Sequence, residues 1–252
     1  MQGTATGSQA WIRRYHPAPD SRIRLVALPH AGGSATYFHP LSAALGPEVE
    51  TLAVQYPGRQ DRRHETPVQD IGALADHVAQ ALLPYTDRPL ALFGHSMGST
   101  IAFEVARRLE RDGRAPVALI ASGRRAPRTD RREGLHRLDD AAILAEVRLL
   151  GGTDEVMLRD EELVQLTLTV LRNDYRAVET YRCEPGAMLG CPVTVLVGDD
   201  DPRVSLEEAR AWAEHTTGAF ALHVFSGGHF YLAEHQQAVT GRLLAVLEPH
   251  LR

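Results

Sequence analysis

The sequence predicts an α/β fold with a mostly parallel sheet covered on both faces. Two observations carry this, and a third modifies it. Six short apolar runs each end in a turn: Ile23–Leu28, Thr51–Val54, Pro89–Phe93, Val117–Ala121, Val193–Val197 and Phe220–Phe225. Helix-like patterns stand between them, at Val68–Leu83, Thr100–Arg111, Leu206–Thr216 and Gln236–Leu251. Strand, helix, strand in repetition places parallel strands side by side with helices on either face. The third observation is a gap of about seventy residues without a strand pattern, too long for a plain connection.

The elements follow from local chemistry. The apolar runs are of strand length and lack polar alternation, as buried parallel strands do. Trp11–Tyr15 reads as an additional edge strand. The gap opens with Arg124-Arg-Ala-Pro-Arg-Thr-Asp-Arg-Arg132, a polar hinge. Helical patterns follow at Asp139–Leu150, Asp160–Leu171 and Asp174–Tyr181. The expected organisation is a core of residues 1–123 and 186–252 with a helical lid, 124–185, inserted after a strand. No internal repeat or low-complexity segment interrupts this plan.

Bulk properties narrow the function. The chain has 252 residues, 44% of them hydrophobic, enough for one sizeable core. Its net charge of −5 offers no electrostatic reason for nucleic-acid binding. All 27 basic residues are arginine, as a GC-rich genome would favour. Cys183 and Cys191 make neither a disulfide framework nor a metal-type spacing with histidine. The first nine residues lack the pattern of a secretory signal, and no apolar run reaches the ~18 residues of a membrane span. The expectation is a cytoplasmic protein without membrane attachment, monomeric by default.

The chemistry centres on Gly94-His-Ser-Met-Gly98, a G-x-S-x-G motif where a strand pattern becomes a helical one. That context makes Ser96 a candidate nucleophile on a sharp turn; the ordinary alternative is a turn serine capping the helix. A serine hydroxyl needs a base, and the base an orienting carboxylate, here in the chain order Ser, acid, His. Of 12 histidines, His229 follows the last strand directly, behind Gly227-Gly228. The acid is expected in Gly198-Asp-Asp-Asp-Pro202; the G-x-x-D spacing favours Asp201, with Asp200 as fallback. An oxyanion needs fixed N–H donors: the backbone of Met97, and that of Ala31 in Pro29-His-Ala-Gly-Gly33. The His30 side chain is expected to brace that loop.

These motifs resemble one family, the type II thioesterases that accompany modular polyketide synthases and nonribosomal peptide synthetases. The resemblance covers nearly the whole chain. It runs through Pro29-His-Ala-Gly-Gly-Ser34, Gln55-Tyr-Pro-Gly-Arg59, Gly94–Gly98, Ser122-Gly-Arg-Arg-Ala-Pro127 and Leu150-Gly-Gly-Thr153. It continues in Leu171-Arg-Asn-Asp-Tyr175, Glu179-Thr-Tyr181, Gly198–Pro202 and Gly227-Gly-His-Phe230. Thr169 stands where the family usually has proline, and a tryptophan often found near Phe38 is absent. Both departures concern the shape of the pocket. The resemblance implies an α/β-hydrolase core, Ser96, Asp201 and His229 as a triad, and Ala31 and Met97 as oxyanion donors. It implies hydrolysis of acyl groups from the phosphopantetheine arm of acyl or peptidyl carrier protein domains, to clear stalled chains. No metal or organic cofactor is implied, because phosphopantetheine is part of the substrate.

Leu149, Leu150, Met157, Leu163 and Leu166 are candidate pocket residues, although each is as readily explained by lid packing. Arg124, Arg125, Arg128, Arg131 and Arg132 could dock an acidic carrier protein, and an arginine run in a hinge is otherwise a solvated one. Arg59 could support the site or brace a loop. Two rival functions stay open at this point: a carboxylesterase, lipase or acyltransferase acting on small molecules, and a non-catalytic carrier-protein binding partner.

Overall fold

The structure, a computed structural model, describes residues 7–131, 133–151 and 161–251. The strands are β1 Ile12–Arg13, β2 Ile23–Leu28, β3 Val49–Val54, β4 Leu90–His95, β5 Ala118–Ser122, β6 Val193–Gly198 and β7 Phe220–Phe225. They form one seven-stranded sheet in the order β1-β3-β2-β4-β5-β6-β7. Every pairing is parallel except β1 with β3, where Ile12 faces Val54 and Arg13 faces Ala53. The expected edge strand near residue 11 is therefore real, but only two residues long.

The helices are α1 Ser8–Trp11, α2 His39–Leu45, α3 Ile71–Leu82, α4 Met97–Arg111, α5 Asp140–Leu150, α6 Glu161–Thr180, α7 Leu206–Arg210, α8 Tyr231–Glu234 and α9 Gln236–Leu247. Several starts are set by side-chain caps. Asp70 accepts from the Ala73 N–H at 2.7 Å, and Asp139 from the Ala142 N–H at 2.8 Å. Ser205 and Glu208 close a reciprocal capping box on α7. Gly151 ends α5 in the left-handed conformation, φ 74°.

Period-two side-chain alternation splits the core into two layers. On β2, Val26 and Leu28 join Leu92, Leu119 and Val195 beneath α3 and α4. Ile23, Leu25 and Ala27 join Phe93, Ile120 and Leu196 on the opposite face, against α2 and α9. β2 to β6 are buried along their lengths, as a sheet covered on both faces requires. β7 departs from the expectation: it is an edge strand, half-buried, with Val224 exposed. Apolar composition alone does not separate an edge from a centre.

Between β5 and β6 the chain makes its long excursion. Here α5 and α6 pack through Ile143, Val147, Leu168, Leu171 and Tyr175. The two helices expected at Asp160–Leu171 and Asp174–Tyr181 are one, Glu161–Thr180; Asp160 itself lies outside the described residues. The helix runs on unbroken through the expected gap at Arg172 and Asn173. The Asn173 amide donates to the Thr169 carbonyl at 2.7 Å, and Asp174 is turned inward to an arginine described below. Among the described residues no helix is long and apolar enough to cross a membrane, and both cysteines are free thiols.

Candidate active site

Ser96 stands alone between β4 and α4, at φ 53° and ψ −118°. A non-glycine residue there stores about 1–3 kcal/mol of backbone strain. The surroundings enforce it. The Ser96 N–H donates to the Ser122 carbonyl at 2.8 Å, and the Ser99 N–H to the Ser96 carbonyl at 3.0 Å. The Ser99 hydroxyl donates to the carbonyls of Gly94 and Ser122 at 2.7 and 3.0 Å. Gly94 and Gly98 are sterically required: a Cβ on Gly98 would overlap the Leu28 carbonyl, and one on Gly94 would overlap the Gly98 backbone. The start of α4 is thereby pressed against the end of β2. Ser96 stays partly accessible while every neighbour from Gly94 to Thr100 is buried.

His229 lies on the turn after β7. Gly227 enters that turn at φ 113°. The loop after β6 crosses it so closely that a Cβ on Gly198 would overlap the Gly227 carbonyl. The crossing sets the acid beside the imidazole. His229 Nδ1 donates to Asp201 Oδ2 at 2.9 Å, and the Asp201 side chain is fully buried. Asp201 Oδ1 accepts from the Arg203 N–H at 2.8 Å. The other two aspartates do different work. Asp199 Oδ1 accepts from the Gly227 N–H at 2.9 Å, while the exposed Asp200 donates its N–H to the Gly227 carbonyl at 3.0 Å.

Nδ1 being engaged by Asp201, Nε2 is the ring nitrogen of His229 left to meet another group. The ring lies 5.1 Å from that of His95, tilted by 39°, and 5.2 Å edge-on from Phe230. Gly123 admits both imidazoles: a Cβ there would lie 2.8 Å from His95 Cε1 and 3.4 Å from His229 Cε1. Ser96 and His229 thus both lie against the C-terminal end of β5, at Ser122 and Gly123. Among the described residues no hydrogen bond joins the Ser96 hydroxyl to His229. Such contacts are commonly long before substrate binds.

The Pro29–Ser34 loop sits over the start of α4. Gly32 turns it at φ 77°, and the Gly33 N–H closes onto the His30 carbonyl at 3.0 Å. Asp174 on α6 accepts from the Gly32 N–H at 2.8 Å. Arg59 grips Asp174 with both guanidinium ends, at 2.7 and 2.9 Å, and donates to the Gly33 carbonyl at 3.1 Å. Its guanidinium also lies 5.2 Å from the Tyr56 ring centroid. Arg59 is therefore a loop brace, one of its two expected roles. Next to this loop, the N–H groups of Ala31 and Met97 donate to no protein atom among the described residues.

His30 is wedged edge-on among Tyr37, Phe230 and His95, at 4.7, 4.9 and 5.8 Å between centroids. Burial, helped by the charges of His229 and Arg59, drives its pKa down to about 3, so it is neutral at physiological pH. Burial likewise holds His95 well below the usual histidine range, and its Nδ1 contacts the Ser122 hydroxyl at 3.0 Å. That hydroxyl meets the Tyr231 hydroxyl at 2.7 Å. Sequence reasoning missed this buried chain, and it missed Asp174. Nothing local marked Ser122 or Tyr231. Asp174 did carry a signal, as an acid on the helix face that also presents Leu171 and Tyr175.

A cavity of about 350 Å³ opens beside the loop, lined by His30, Ala31, Tyr37, Leu150, Tyr175 and Phe230 among others. Of the leucines expected there, only Leu150 lines it. Leu149, Leu163 and Leu166 are exposed, because an amphipathic helix on the surface also has an outer face. Met157 lies outside the described residues. The arginine run is also more divided than expected. Arg125 is buried, with its guanidinium on Glu133 at 3.2 and 3.3 Å, so it presents no docking surface. Arg131 pairs with Glu208 at 2.7 Å, and Arg128 is exposed. Arg124 is partly buried and donates to the Thr100 hydroxyl at 3.1 Å. Arg132 is outside the described residues.

Comparison with known proteins matches this geometry to a family. The family model described as "Thioesterase domain" matches residues 23–247. Thioesterase PikA5 of Streptomyces venezuelae is 55% identical over 227 residues, 89% of this chain and 81% of that one. A probable cadicidin biosynthesis thioesterase of Streptomyces griseus is 52% identical over 239 residues, 95% of this chain and 66% of that one. Among solved structures, the type II thioesterase BorB from the borrelidin biosynthetic cluster superposes with a TM-score of 0.88 at 53% identity, covering 98% of this chain and 100% of that one. The sheet order, the serine on its strained turn and these likenesses agree: the fold is that of an α/β-hydrolase, and the chain belongs to the thioesterase family, on its type II branch.

Proposed function

We propose that this chain hydrolyses acyl thioesters held on the phosphopantetheine arm of carrier proteins in polyketide or nonribosomal peptide synthesis, removing stalled acyl groups. The observation that carries the reading is the His229–Asp201 hydrogen bond on the rim where strained Ser96 is presented. Ser96 is the nucleophile and His229 the base. Asp201 holds the imidazole tautomer that leaves Nε2 free to accept a proton.

His229 removes the hydroxyl proton as Ser96 Oγ attacks the thioester carbon. The carbonyl oxygen becomes an oxyanion received by the N–H groups of Ala31 and Met97. Collapse breaks the C–S bond, and the imidazolium returns its proton to the departing thiolate. Water, deprotonated by His229, then cleaves the acyl–Ser96 ester, and Ser96 regains its proton. The acyl chain occupies the cavity beneath α5 and α6, which serve as its lid. This chemistry asks for no metal or organic cofactor, and one copy of the chain supplies every group it uses.

The test is hydrolysis of an acyl-carrier protein followed by intact mass. Ser96→Ala is expected to lower turnover by a factor on the order of 10⁴ while carrier binding persists. Unchanged turnover would remove Ser96 from the mechanism. A strong preference for simple p-nitrophenyl esters over acyl-carrier thioesters would overturn the substrate assignment.

A further inference from the structure

A second cavity, of about 170 Å³, flanks α4 at Thr100 and is walled by Arg124, Arg125, Arg128, Arg131 and Arg182 among others. Thr100 follows Ser96 by four residues, about 6 Å along the helix axis. The cavity therefore touches, one turn in, the helix that Ser96 begins, yet neither triad nor oxyanion loop lines it.

Its arginines are not equivalent. Arg125 is bound by Glu133, and Arg131 by Glu208. Arg182 donates to the carbonyls of Glu179 and Tyr181 at 2.9 and 2.7 Å. Arg124 differs. Its Nε is satisfied by the Thr100 hydroxyl, and no carboxylate among the described residues forms an ion pair with it. Burial first, and then the charge of Arg125, push its pKa down to about 9. Two carboxylates share the wall: Asp130, which is exposed, and Glu179, which is turned away and accepts from the N–H groups of Leu135 and His136 at 2.8 and 3.1 Å. A desolvated guanidinium without a counter-ion gains strongly from an arriving anion, and its planar fork suits phosphate and carboxylate alike.

We infer that this cavity is an anion site in which Arg124 receives a negatively charged group carried by the thioester substrate. The inference rests on the thioester-hydrolase reading above. Two parts of such a substrate can supply the charge: the phosphate of the pantetheine arm, or an acid on the acyl chain.

Three thioesters separate these sources: butyryl-N-acetylcysteamine, which is neutral, butyryl-phosphopantetheine, and succinyl-N-acetylcysteamine. Each is assayed with the unaltered protein, with Arg124→Gln, and with Arg210→Gln, which removes an exposed positive charge from α7. Arg124→Gln is expected to lower kcat/KM for one anionic substrate at least about tenfold more than for the neutral one. Selective loss on the phosphopantetheine substrate assigns the site to the arm, and loss on the succinyl substrate to the acyl chain. Arg210→Gln is expected to treat all three alike. Equal effects of Arg124→Gln on the three overturn the inference. Should that variant not fold, inorganic phosphate added to the unaltered protein is expected to raise KM for the sensitive anionic substrate and not for the neutral one; an equal response overturns the inference. Absence of any turnover of the neutral thioester would instead defeat the thioester-hydrolase reading itself.

Discussion

Replacing Asp174 by alanine tests whether the helical excursion holds the Pro29–Ser34 loop, the proposed source of an oxyanion donor. The carboxylate accepts three hydrogen bonds, two from Arg59 and one from the Gly32 N–H, with its side chain only 1% exposed. Removing it strands a guanidinium that is itself 7% exposed. Leaving one charge of a buried pair uncompensated costs about 3–5 kcal/mol. Arg59 keeps the carbonyls of Gly33 and Pro57 as acceptors, at 3.1 and 3.3 Å, so the lower end, about 3 kcal/mol, is expected. Urea unfolding reads this directly. The kinetic effect is separate. Complete loss of an oxyanion donor costs about 10²–10³ in kcat. Asp174→Ala frees the neighbour of Ala31 rather than Ala31 itself, so a loss of about tenfold in kcat is expected, with a smaller change in KM. The double variant Arg59→Met, Asp174→Leu should recover most of the stability, because no buried charge remains, without recovering kcat. A loss below about 1 kcal/mol together with unchanged kcat would refute the brace.

Three further outcomes follow from the same geometry. Ser96→Gly should abolish turnover and raise stability by about 1 kcal/mol by releasing the strained φ; a lower urea midpoint would contradict the strain. Gly98→Ala should lose about 3 kcal/mol, since its methyl group meets the Leu28 carbonyl; near-native stability would mean that the elbow can shift. His30 and His95 are held neutral in the fold and take up protons when unfolded, below about pH 6.5. Their contribution is complete above that pH and is lost as pH falls toward the depressed folded values, by at most ~1.4 kcal/mol per ring per pH unit. Urea titrations at pH 7.5, 6 and 5 should show this slope, and His95→Gln should reduce it; parallel slopes in both proteins would count against the assignment.

The sheet was legible because five of its strands are buried on both faces and read as unbroken apolar runs. β1 was shorter than its composition suggested, and β7 more exposed, since neither property leaves a local trace. α2 was invisible: seven residues with a histidine and Pro40 at its start give too little periodicity. The split of α6 was an error of the opposite kind: one helix runs through the expected gap, and Asn173 and Asp174 both find partners for their side chains. At the site, Ser96 and His229 could be found because each follows a strand at a glycine turn. Asp201 could be preferred over Asp200 by spacing, and the structure places it, not Asp200, on the imidazole. Asp174 was marked only as an acid on an otherwise apolar helix face; its partner could not be read, because that is an arginine 115 positions earlier in the chain. Of the leucines expected in the pocket, Leu150 lines it while Leu149, Leu163 and Leu166 face outward, because hydrophobicity does not say which way a helix is rotated.

Ser96 is anchored through its backbone to the carbonyl of Ser122, and the His229 ring rests on Gly123, the next residue. Ser96 and His229 therefore share one point of support at the tip of β5. Displacement of that tip acts on both residues at once, while His229 is tied as well to Asp201 on the loop after β6. A methyl group added at Gly123 would press on the rings of His95 and His229 together, so this one position carries the spacing of the whole cluster.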